Sequence, residues 1–384
     1  MSGSAKPVSM QDLINQNAGQ RMWFVRNGVN MSQPVDTRVL VGAPNGQQVT
    51  IPMRPVGLLK SITVEVEFNL AQTAAETLTR TALGPANIFS NITFLDLNNN
   101  TRISVPGWYL TTLATMRRGA AFGAVFTNDS PYGMGAKNYN VMNAPSTITT
   151  TQACRFFYEV PISYSDMDLR GCIPLNVTGA TAQLQLTVNQ NFVASSASTD
   201  ATESVYQSST TAQATPSNFK ITTTQNYLDQ IPAGAIPVLD AQTVYQLQYT
   251  TFTGMAANQE FAMPYGNQRE FMSTTVWYDN AGVLNAGTDV NYFSLVTANI
   301  TNLWKKDAYK SGLDVRIAVG NDAPLGMYYF DHRQAPINTA TFGNMQLVAN
   351  LAGVTNANGS ILKVGWEFFT MVQIATRISS LSGG

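Results

Sequence analysis

The sequence predicts an all-β protein of two tandem eight-stranded jelly rolls, with short inserted helices and an N-terminal helical arm. Three observations support this prediction. Many short segments alternate apolar and polar residues, and clusters of turn residues separate these segments. In addition, one pattern of strand, turn and helix start is present twice, at Thr93–Arg118 and at Val276–Thr301. Many short strands of this kind are typical of sandwiches and jelly rolls rather than of α/β folds.

An N-terminal arm is predicted for residues 1–45, with an amphipathic helix at Ser9–Asn27. Ser9 suits the N-cap position, and the turn-rich stretch VGAPNGQQVTIP, which starts at Val41, separates the helix from the β segments. The apolar stripe of this helix consists of Met10, Leu13, Ile14, Ala18, Met22 and Val25. Arginine beside aromatic rings suits a lipid interface. A membrane-proximal site is therefore predicted at Arg21, Trp23, Phe24 and Arg26.

The strands are predicted from alternation. In SITVEVEFNL the residues Ile62, Val64, Val66 and Phe68 share one face, and polar residues occupy the other face. Further strand candidates are rich in β-branched and aromatic residues. They are ACRFFYEVPIS, TAQLQLTVNQ, FKITTTQNYL, TVYQLQYTTF, GMYYFDH and KVGWEFFTMVQI. The small polar stretches 122–152 and 194–217 are predicted as long surface loops.

The internal repeat aligns without a gap when Phe94 is placed on Trp277, an offset of 183 residues (277 − 94). The alignment predicts a helix at the same point of each unit, starting near Pro106 and near Thr288. Thr288 is the predicted cap of the second helix. The residues predicted to pack these helices on their jelly rolls are Leu110 and Leu113 in the first, and Phe293 and Val296 in the second.

The repeat also divides the chain. NFKITTTQNYL and VGWEFFTMVQI are each predicted to be the last strand of a unit, and an eight-stranded jelly roll fits a unit of this length. The predicted segments are the arm at 1–45, the first jelly roll at 46–230, the second jelly roll at 231–376 and a flexible C-terminal tail at 377–384.

Composition excludes several classes of protein. The 384 residues carry a net charge of −1, which argues against direct binding of nucleic acid. Charged residues are 12% of the chain, compared with about 25% in ordinary domains, so the polar surface is easily buried against neighbours. No stretch is long and apolar enough to span a membrane. The chain has two cysteines, Cys154 and Cys172, which are predicted to be buried or free thiols of a protein made in a reducing cytosol.

The sequence predicts no catalytic, cofactor or metal site. His332 is the one histidine, and its neighbour Asp331 would point to the opposite face of a strand and could not orient it. Asp96–Asn100 has the first ligand spacing of a calcium loop, but it lacks the later glycine and glutamate and is interpreted as a turn. The basic and aromatic stretch Trp304–Lys310 is interpreted as a solvated face.

Five phrases of the sequence are specific enough to compare with a known family: GPANIF (84–89), TNDSPYG (127–133), NYLDQIPAG (226–234), YDNAGVLNAGTDVNYFSLVTAN (278–299) and FGN (342–344). They resemble the major capsid protein of the tectiviruses, which are tailless icosahedral bacteriophages with a membrane inside the shell. The resemblance covers most of the chain after Gln47. The resemblance implies a double jelly roll, similar in plan to the adenovirus hexon. It also implies pseudo-hexagonal homotrimers that tile the shell, because two similar units in each of three subunits give six similar corners.

The expected partners are further copies of the chain, minor capsid and vertex proteins, and the internal viral membrane through the arm. The protein is expected in the virion capsid after synthesis and assembly in the bacterial cytoplasm. One alternative is a carbohydrate- or receptor-binding β-sandwich, such as a spike or lectin, since jelly rolls serve both roles. A glycan-processing enzyme is a weaker alternative, because the acidic residues show no paired spacing.

Overall fold

A computed structural model describes most of the chain. The described residues are 27–72, 76–81, 83–118, 147–165, 168–176, 179–198, 203–211, 214–230, 243–253, 258–262, 269–280, 283–284, 289–297, 304–319, 326–352 and 360–371. The helix predicted at Ser9–Asn27, with its four membrane-proximal residues, therefore lies outside them apart from its last residue. The cap Thr288, the loop core 122–146 and the tail 377–384 also lie outside them.

Strands dominate the architecture. In chain order the strands are β1 (Val29–Val39), β2 (Gln48–Pro52), β3 (Leu58–Leu70), β4 (Leu78–Arg80), β5 (Phe89–Leu95), β6 (Thr101–Val105), β7 (Thr147–Ile148), β8 (Gln152–Pro161), β9 (Ile173–Pro174), β10 (Gln183–Val188), β11 (Val193–Ala194), β12 (Tyr206–Ser208), β13 (Ser217–Asp229), β14 (Thr243–Thr253), β15 (Asn258–Ala262), β16 (Arg269–Asn280), β17 (Val283–Leu284), β18 (Val290–Thr297), β19 (Met327–Asp331), β20 (Ile337–Asn338), β21 (Met345–Leu351) and β22 (Ser360–Met371). The helices are α1 (Gly107–Arg118), α2 (Ala308–Val319), α3 (Thr339–Phe342) and a 3-10 helix at Gly84–Ile88.

The first unit has the eight main strands of a jelly roll. One sheet has the order β1-β13-β3-β8, and the facing sheet has the order β2-β10-β5-β6. Every neighbouring pair in both sheets is antiparallel. β1 lies inside the range 1–45 that the sequence predicts as the arm, so the described part of that range is mostly an edge strand of the first jelly roll.

The second unit repeats this arrangement. One sheet has the order β14-β22-β16-β19, and the facing sheet has the order β15-β21-β18. A bridge from Phe293 in β18 to Lys306 stands in the place of the eighth strand. β13 and β22, each predicted to be the last strand of its unit, hold the same place in their units, because each pairs with the first strand of its unit.

The two units correspond residue by residue from β5 to α1 and from β18 to α2. The constant difference in residue number is 201 (308 − 107, the first residues of the two helices). The register is fixed by backbone pairs, because Ile92 opposes Val105 and Phe293 opposes Lys306. The offset of 183 is wrong for this segment, since it places Phe94 on Trp277, which lies one strand earlier in the second unit. The structural counterpart of Phe94 is Leu295.

The helix predicted to start at Thr288 is also wrong. Residues Val290–Thr297 form strand β18, in which Phe293 is buried and Val296 half-buried. A strand rich in β-branched and aromatic residues fits this pleated surface better than a helix does. The inserted helix of the second unit is α2, at the position that corresponds to α1.

The alternating strands behave as predicted. In β3 the residues Ile62, Val64, Val66 and Phe68 are buried, and the polar residues between them are half-exposed. The segment 194–217, predicted as a surface loop, is corrected in part, because it contains β12, and Val205 and Tyr206 are buried there against β4. Cys154 and Cys172 are both buried, and burial raises the pKa of the Cys154 thiol to about 11.

Candidate assembly surfaces

The two jelly rolls share one continuous sheet. β6 of the first unit pairs in parallel with β14 of the second, where Leu247 opposes Ile103 and Gln248 opposes Ser104. This pairing joins one sheet of each unit into a single ten-stranded sheet. Because backbone hydrogen bonds cross the junction, the two units have a fixed relation to each other within the subunit.

Aromatic residues fill the junction on one side of this pairing. The ring of Trp108, in α1, lies edge-on to Trp277 and to Tyr249, with ring centroids 5.5 and 5.6 Å away. The ring of Tyr109 lies against the backbone of β22, where a Cβ atom at Gly365 would come within 2.1 Å of the ring. Glycine is therefore required at position 365 for the helix of the first unit to approach the sheet of the second.

A second aromatic contact lies at the other end of the junction. Tyr164 of the first unit packs on Phe369 and Tyr245, with ring centroids 5.5 and 6.0 Å away. The guanidinium of Arg170 lies 4.3 Å from the centre of the Phe369 ring. Cation–π contacts of this kind stabilise the junction in addition to the burial of the rings.

A buried lysine joins the units electrostatically. The side chain of Lys363 is 1% exposed, and its Nζ lies 2.9 Å from Glu203 Oε1 of the first unit and 3.4 Å from Asp279 Oδ2 of the second. A cation in such a buried place needs charged partners. The cleft beside it has a volume of about 260 Å³ and is lined in part by Trp108 and Tyr249. This is below the roughly 300–1,000 Å³ typical of small-molecule sites.

The two predicted packing residues of the first helix are buried. Leu110 and Leu113 lie in the core of the first unit, and the hydroxyl of Thr112 donates a hydrogen bond to the carbonyl of Trp108. In the second unit Phe293 packs edge-on against Tyr328, with ring centroids 4.7 Å apart, from a strand rather than from a helix.

His332 is buried and has no catalytic arrangement. Its backbone N–H donates to the carbonyl of Met272, and its ring packs edge-on against Trp304. Burial, assisted by the nearby Lys306 cation, lowers the pKa of His332 to about 3, so its imidazole is too weak a base for proton transfer near neutral pH. The carboxylate of Asp331 is bound by Arg333.

Asp96 organises the turn that resembles the start of a calcium loop. Its Oδ1 accepts hydrogen bonds from the backbone N–H groups of Asn98 and Asn100, at 2.9 and 3.0 Å. Its Oδ2 accepts from the guanidinium of Arg102 at 3.0 Å. The aspartate, rather than the asparagines, satisfies the turn. The described residues contain no cluster of three or more histidine, cysteine or acidic side chains that could hold a metal ion.

Most of Trp304–Lys310 is exposed, as expected for a solvated face, but Lys306 is an exception. Lys306 is buried, and its Nζ donates to the carbonyl of Tyr329 at 2.9 Å and pairs with Asp314. Lys305 Nζ lies 3.8 Å from the ring centre of Tyr292. Lys306 is thus part of the interior of the second unit, whereas Lys305 packs on Tyr292 at the surface.

The sequence reasoning missed α2. Asp307 is its N-cap, because Asp307 Oδ1 accepts from the backbone N–H of Lys310 at 2.8 Å. An aspartate before apolar residues spaced four apart was the available signal. The exposed residues of that spacing are Tyr309, Leu313 and Ile317. None of the helices in the described part of the chain has the length and apolar character of a membrane span.

Comparisons with known proteins identify the family. Two family models match: the P3 major capsid protein N-terminal model over residues 6–231 and the P3 major capsid protein C-terminal model over residues 242–382. Major capsid protein P3 of Enterobacteria phage PRD1 is 32% identical over 368 residues, which cover 94% of this chain and 92% of that protein. The predicted resemblance to a tectiviral capsid protein is confirmed.

Solved structures show the same fold. A crystal structure of the STIV MCP aligns with a TM-score of 0.61 at 12% identity, covering 90% of this chain and 98% of that one. A quasi-atomic model of the PBCV-1 virus capsid aligns with a TM-score of 0.58 at 11% identity, covering 90% and 94%. The predicted double jelly roll is confirmed. This chain belongs to the P3 major capsid protein family and is a structural component of a bacteriophage capsid, not an enzyme.

Proposed function

We propose that three copies of this chain form a homotrimer with a pseudo-hexagonal outline, and that these trimers tile the faces of an icosahedral shell. The observation that carries the proposal is the fixed pair of equivalent jelly rolls, β1-β13-β3-β8 and β14-β22-β16-β19 with their facing sheets. Two similar units in each of three copies give six similar corners, which suit a flat lattice. Cyclic homo-oligomers of this kind are common.

The test is the mass of the purified protein by light scattering. A trimer of the 41.6 kDa chain has a mass of about 125 kDa. We expect that mass over a wide range of concentration, with a melting midpoint that rises with concentration where dissociation accompanies unfolding. A folded monomer with an unchanged melting curve would contradict the proposal.

We also propose that the N-terminal arm lies on the inner side of the shell, against an internal membrane. Arg21, Trp23, Phe24 and Arg26 combine cations with aromatic rings, the composition that suits headgroup depth in a bilayer. Minor capsid and vertex proteins complete the shell at its edges and corners in this proposal.

Deletion of residues 1–26 tests the arm. We expect trimers of normal mass, since the first strand of the jelly roll starts at Val29, but impaired assembly of shells around membrane. A matched variant that replaces Arg21, Trp23, Phe24 and Arg26 by serine keeps the length of the arm and should fail in the same way. Normal membrane-filled particles from both variants would exclude this role.

A further inference from the structure

An exposed apolar stripe lies along α2. Tyr309, Leu313 and Ile317 are spaced four apart, so they share one face of the helix. They are 81%, 45% and 75% exposed, and we name them the helix patch. Large apolar side chains that are contiguous and exposed mark interaction surfaces more often than single exposed residues do.

The corresponding stripe of α1 is covered. At the offset of 201 the counterparts of the helix patch are Trp108, Thr112 and Met116. These three residues are 4%, 1% and 3% exposed. The second unit of the same chain contributes to the cover, because Trp108 packs on Trp277 and Tyr249. The structure therefore shows what kind of surface packs on this face of the inserted helix at Trp108.

The equivalence of the two helices rests on backbone register and burial. Ile92 opposes Val105 as Phe293 opposes Lys306, at the same offset. The first strand of each segment, β5 or β18, also has a similar burial pattern: residues 89, 92 and 94 are buried, as are 290, 293 and 295, and residues 90 and 291 are both exposed. The two helices thus leave the same place in the same fold.

The surface that Trp108 and Tyr109 of α1 contact is the outer face of the sheet β14-β22-β16-β19. Its residues are buried although several of them are polar, and they include Ser273, Thr275, Trp277, Lys363, Gly365 and Glu367. Burial of both faces of β16 and β22 distinguishes this sheet from the equivalent sheet of the first unit.

The equivalent sheet of the first unit, β1-β13-β3-β8, has an outer face that is half-exposed. We name six of its residues the outer sheet face: Thr63, Glu65, Glu67, Thr222, Thr224 and Asn226. These residues sit on adjacent strands, since Thr224 opposes Thr63 and Thr222 opposes Glu65. At the junction inside each chain, the helix α1 of the first unit packs on the outer face of a sheet of the second unit. The equivalent helix face of the second unit, on α2, and the equivalent sheet face of the first unit are both left uncovered.

We propose that the helix patch of one copy packs on the outer sheet face of a second copy of this chain. This inference rests on the proposed trimer and names the contact that closes it. The contact is heterologous, and three such contacts complete a ring in which every inserted helix lies against a neighbouring sheet. Tyr309 is the expected anchor, because tyrosine is enriched among the residues that dominate interface energies.

Substitution of Ile317 tests the contact. Ile317→Asp places a charge in the helix patch without removing any core residue, so the far-ultraviolet circular dichroism should be unchanged. We expect the concentration for half-dissociation of the trimer to rise about tenfold or more, as for the loss of a good interface contact. Val41→Asp is the matched control, because Val41 is 88% exposed and belongs to neither surface, and it should leave dissociation unchanged.

Cross-linking between two variants tests the pairing of the surfaces. One preparation carries Ile317→Cys and the other Thr224→Cys, and the native thiols are buried. After mixed assembly, a short bis-maleimide should give a covalent dimer of the two variants. A preparation of Ile317→Cys mixed with Val41→Cys should give much less.

The outcomes separate this inference from the proposed function. If the wild-type protein forms no trimer, the proposed function and the inference both fail. If trimers form, but Ile317→Asp dissociates like wild type and no cross-link joins 317 to 224, the inference alone is wrong. Trimers that stay intact while shell assembly fails would place the helix patch between trimers and would also overturn it.

Discussion

The segments 89–118 and 290–319 fold alike but meet different surroundings. Both consist of a strand, a following stretch of chain that pairs back with that strand, and a helix of 12 residues. The register of the pairing is the same in both. Trp108 in the first helix is buried against the second unit, and its counterpart Tyr309 in the second helix is the most exposed of the helix patch. The difference teaches that a repeat fixes internal packing and leaves the outer face of each copy to whatever neighbour the chain provides.

Removal of the Trp108 ring should have the largest effect on this comparison. Trp108→Ala empties a buried site between the two units, so the free energy of unfolding should fall by about 3–5 kcal/mol. Urea denaturation in the Ile317→Asp background, where trimerisation is weakened, measures the subunit itself. A loss below about 1 kcal/mol would show that the junction repacks easily and would weaken the contrast with α2.

Acid should affect the two units differently, because the one histidine of the chain is in the second unit. Burial lowers the pKa of His332 from an ordinary value near 6.5 to about 3. Between these values the unfolded chain binds more protons than the folded chain does, so stability is full above pH 6.5 and falls as the pH is lowered towards 3. The slope from this group approaches about 1.4 kcal/mol per pH unit.

His332→Gln should reduce this dependence on pH. The measurement is the free energy of unfolding between pH 6.5 and 4 for the variant and for wild type, and the difference between their slopes isolates His332 from the carboxylates. Equal slopes would contradict the depressed pKa.

The caps of the two helices offer a smaller contrast. Pro106 precedes α1 at the place where Asp307 precedes α2, and Asp307 Oδ1 accepts from the backbone N–H of Lys310. Asp307→Ala should cost about 0.5–2 kcal/mol, because one N-terminal donor of the helix loses its partner. Asp307→Asn keeps an acceptor and should cost less. The measurement is a thermal melt of both variants. If both were as stable as wild type, Asp307 would not be a stabilising N-cap.

Tyr309→Ala should have the smallest effect on the isolated subunit. Its side chain is 81% exposed, so we expect a change within about 0.5 kcal/mol in the free energy of unfolding in the Ile317→Asp background. In the otherwise wild-type chain the same substitution should weaken the trimer. A large loss of stability in the weakened background would place Tyr309 in the core and remove the contrast with Trp108.

Local pattern was sufficient to predict several of the main strands. Alternation identified β3, because side-chain period is set by the backbone alone. β-branched and aromatic composition identified β8, β10, β13, β14, β19 and β22. The existence of a repeat was also readable, but its register was displaced by one strand. Phe94 and Trp277 match in residue class, whereas Leu295, the true counterpart of Phe94, is identified by the pairing of Ile92 with Val105 and of Phe293 with Lys306.

The errors at the candidate surfaces have a common cause. Phe293 and Val296 fit a helical spacing by chance, and cross-strand partners in β21 decide that they form a strand. Lys306 looks solvated in sequence, but it is buried, and its ammonium is bound by the carbonyl of Tyr329 and by Asp314, which lie 23 and 8 residues further along the chain. Which apolar helix face is covered depends on the other unit or on another copy, and no local pattern records that.

The parallel pairing of β6 with β14 has a mechanical consequence. Any hinge motion of one jelly roll against the other would have to break backbone hydrogen bonds at Leu247 and Ile103 and part the rings of Trp108 and Trp277 in the same movement. The subunit therefore resists bending as a single stiff plate. When a shell changes curvature or carries internal pressure, the strain must be taken up at the contacts between chains. The elastic stiffness of the whole shell is therefore set by those contacts.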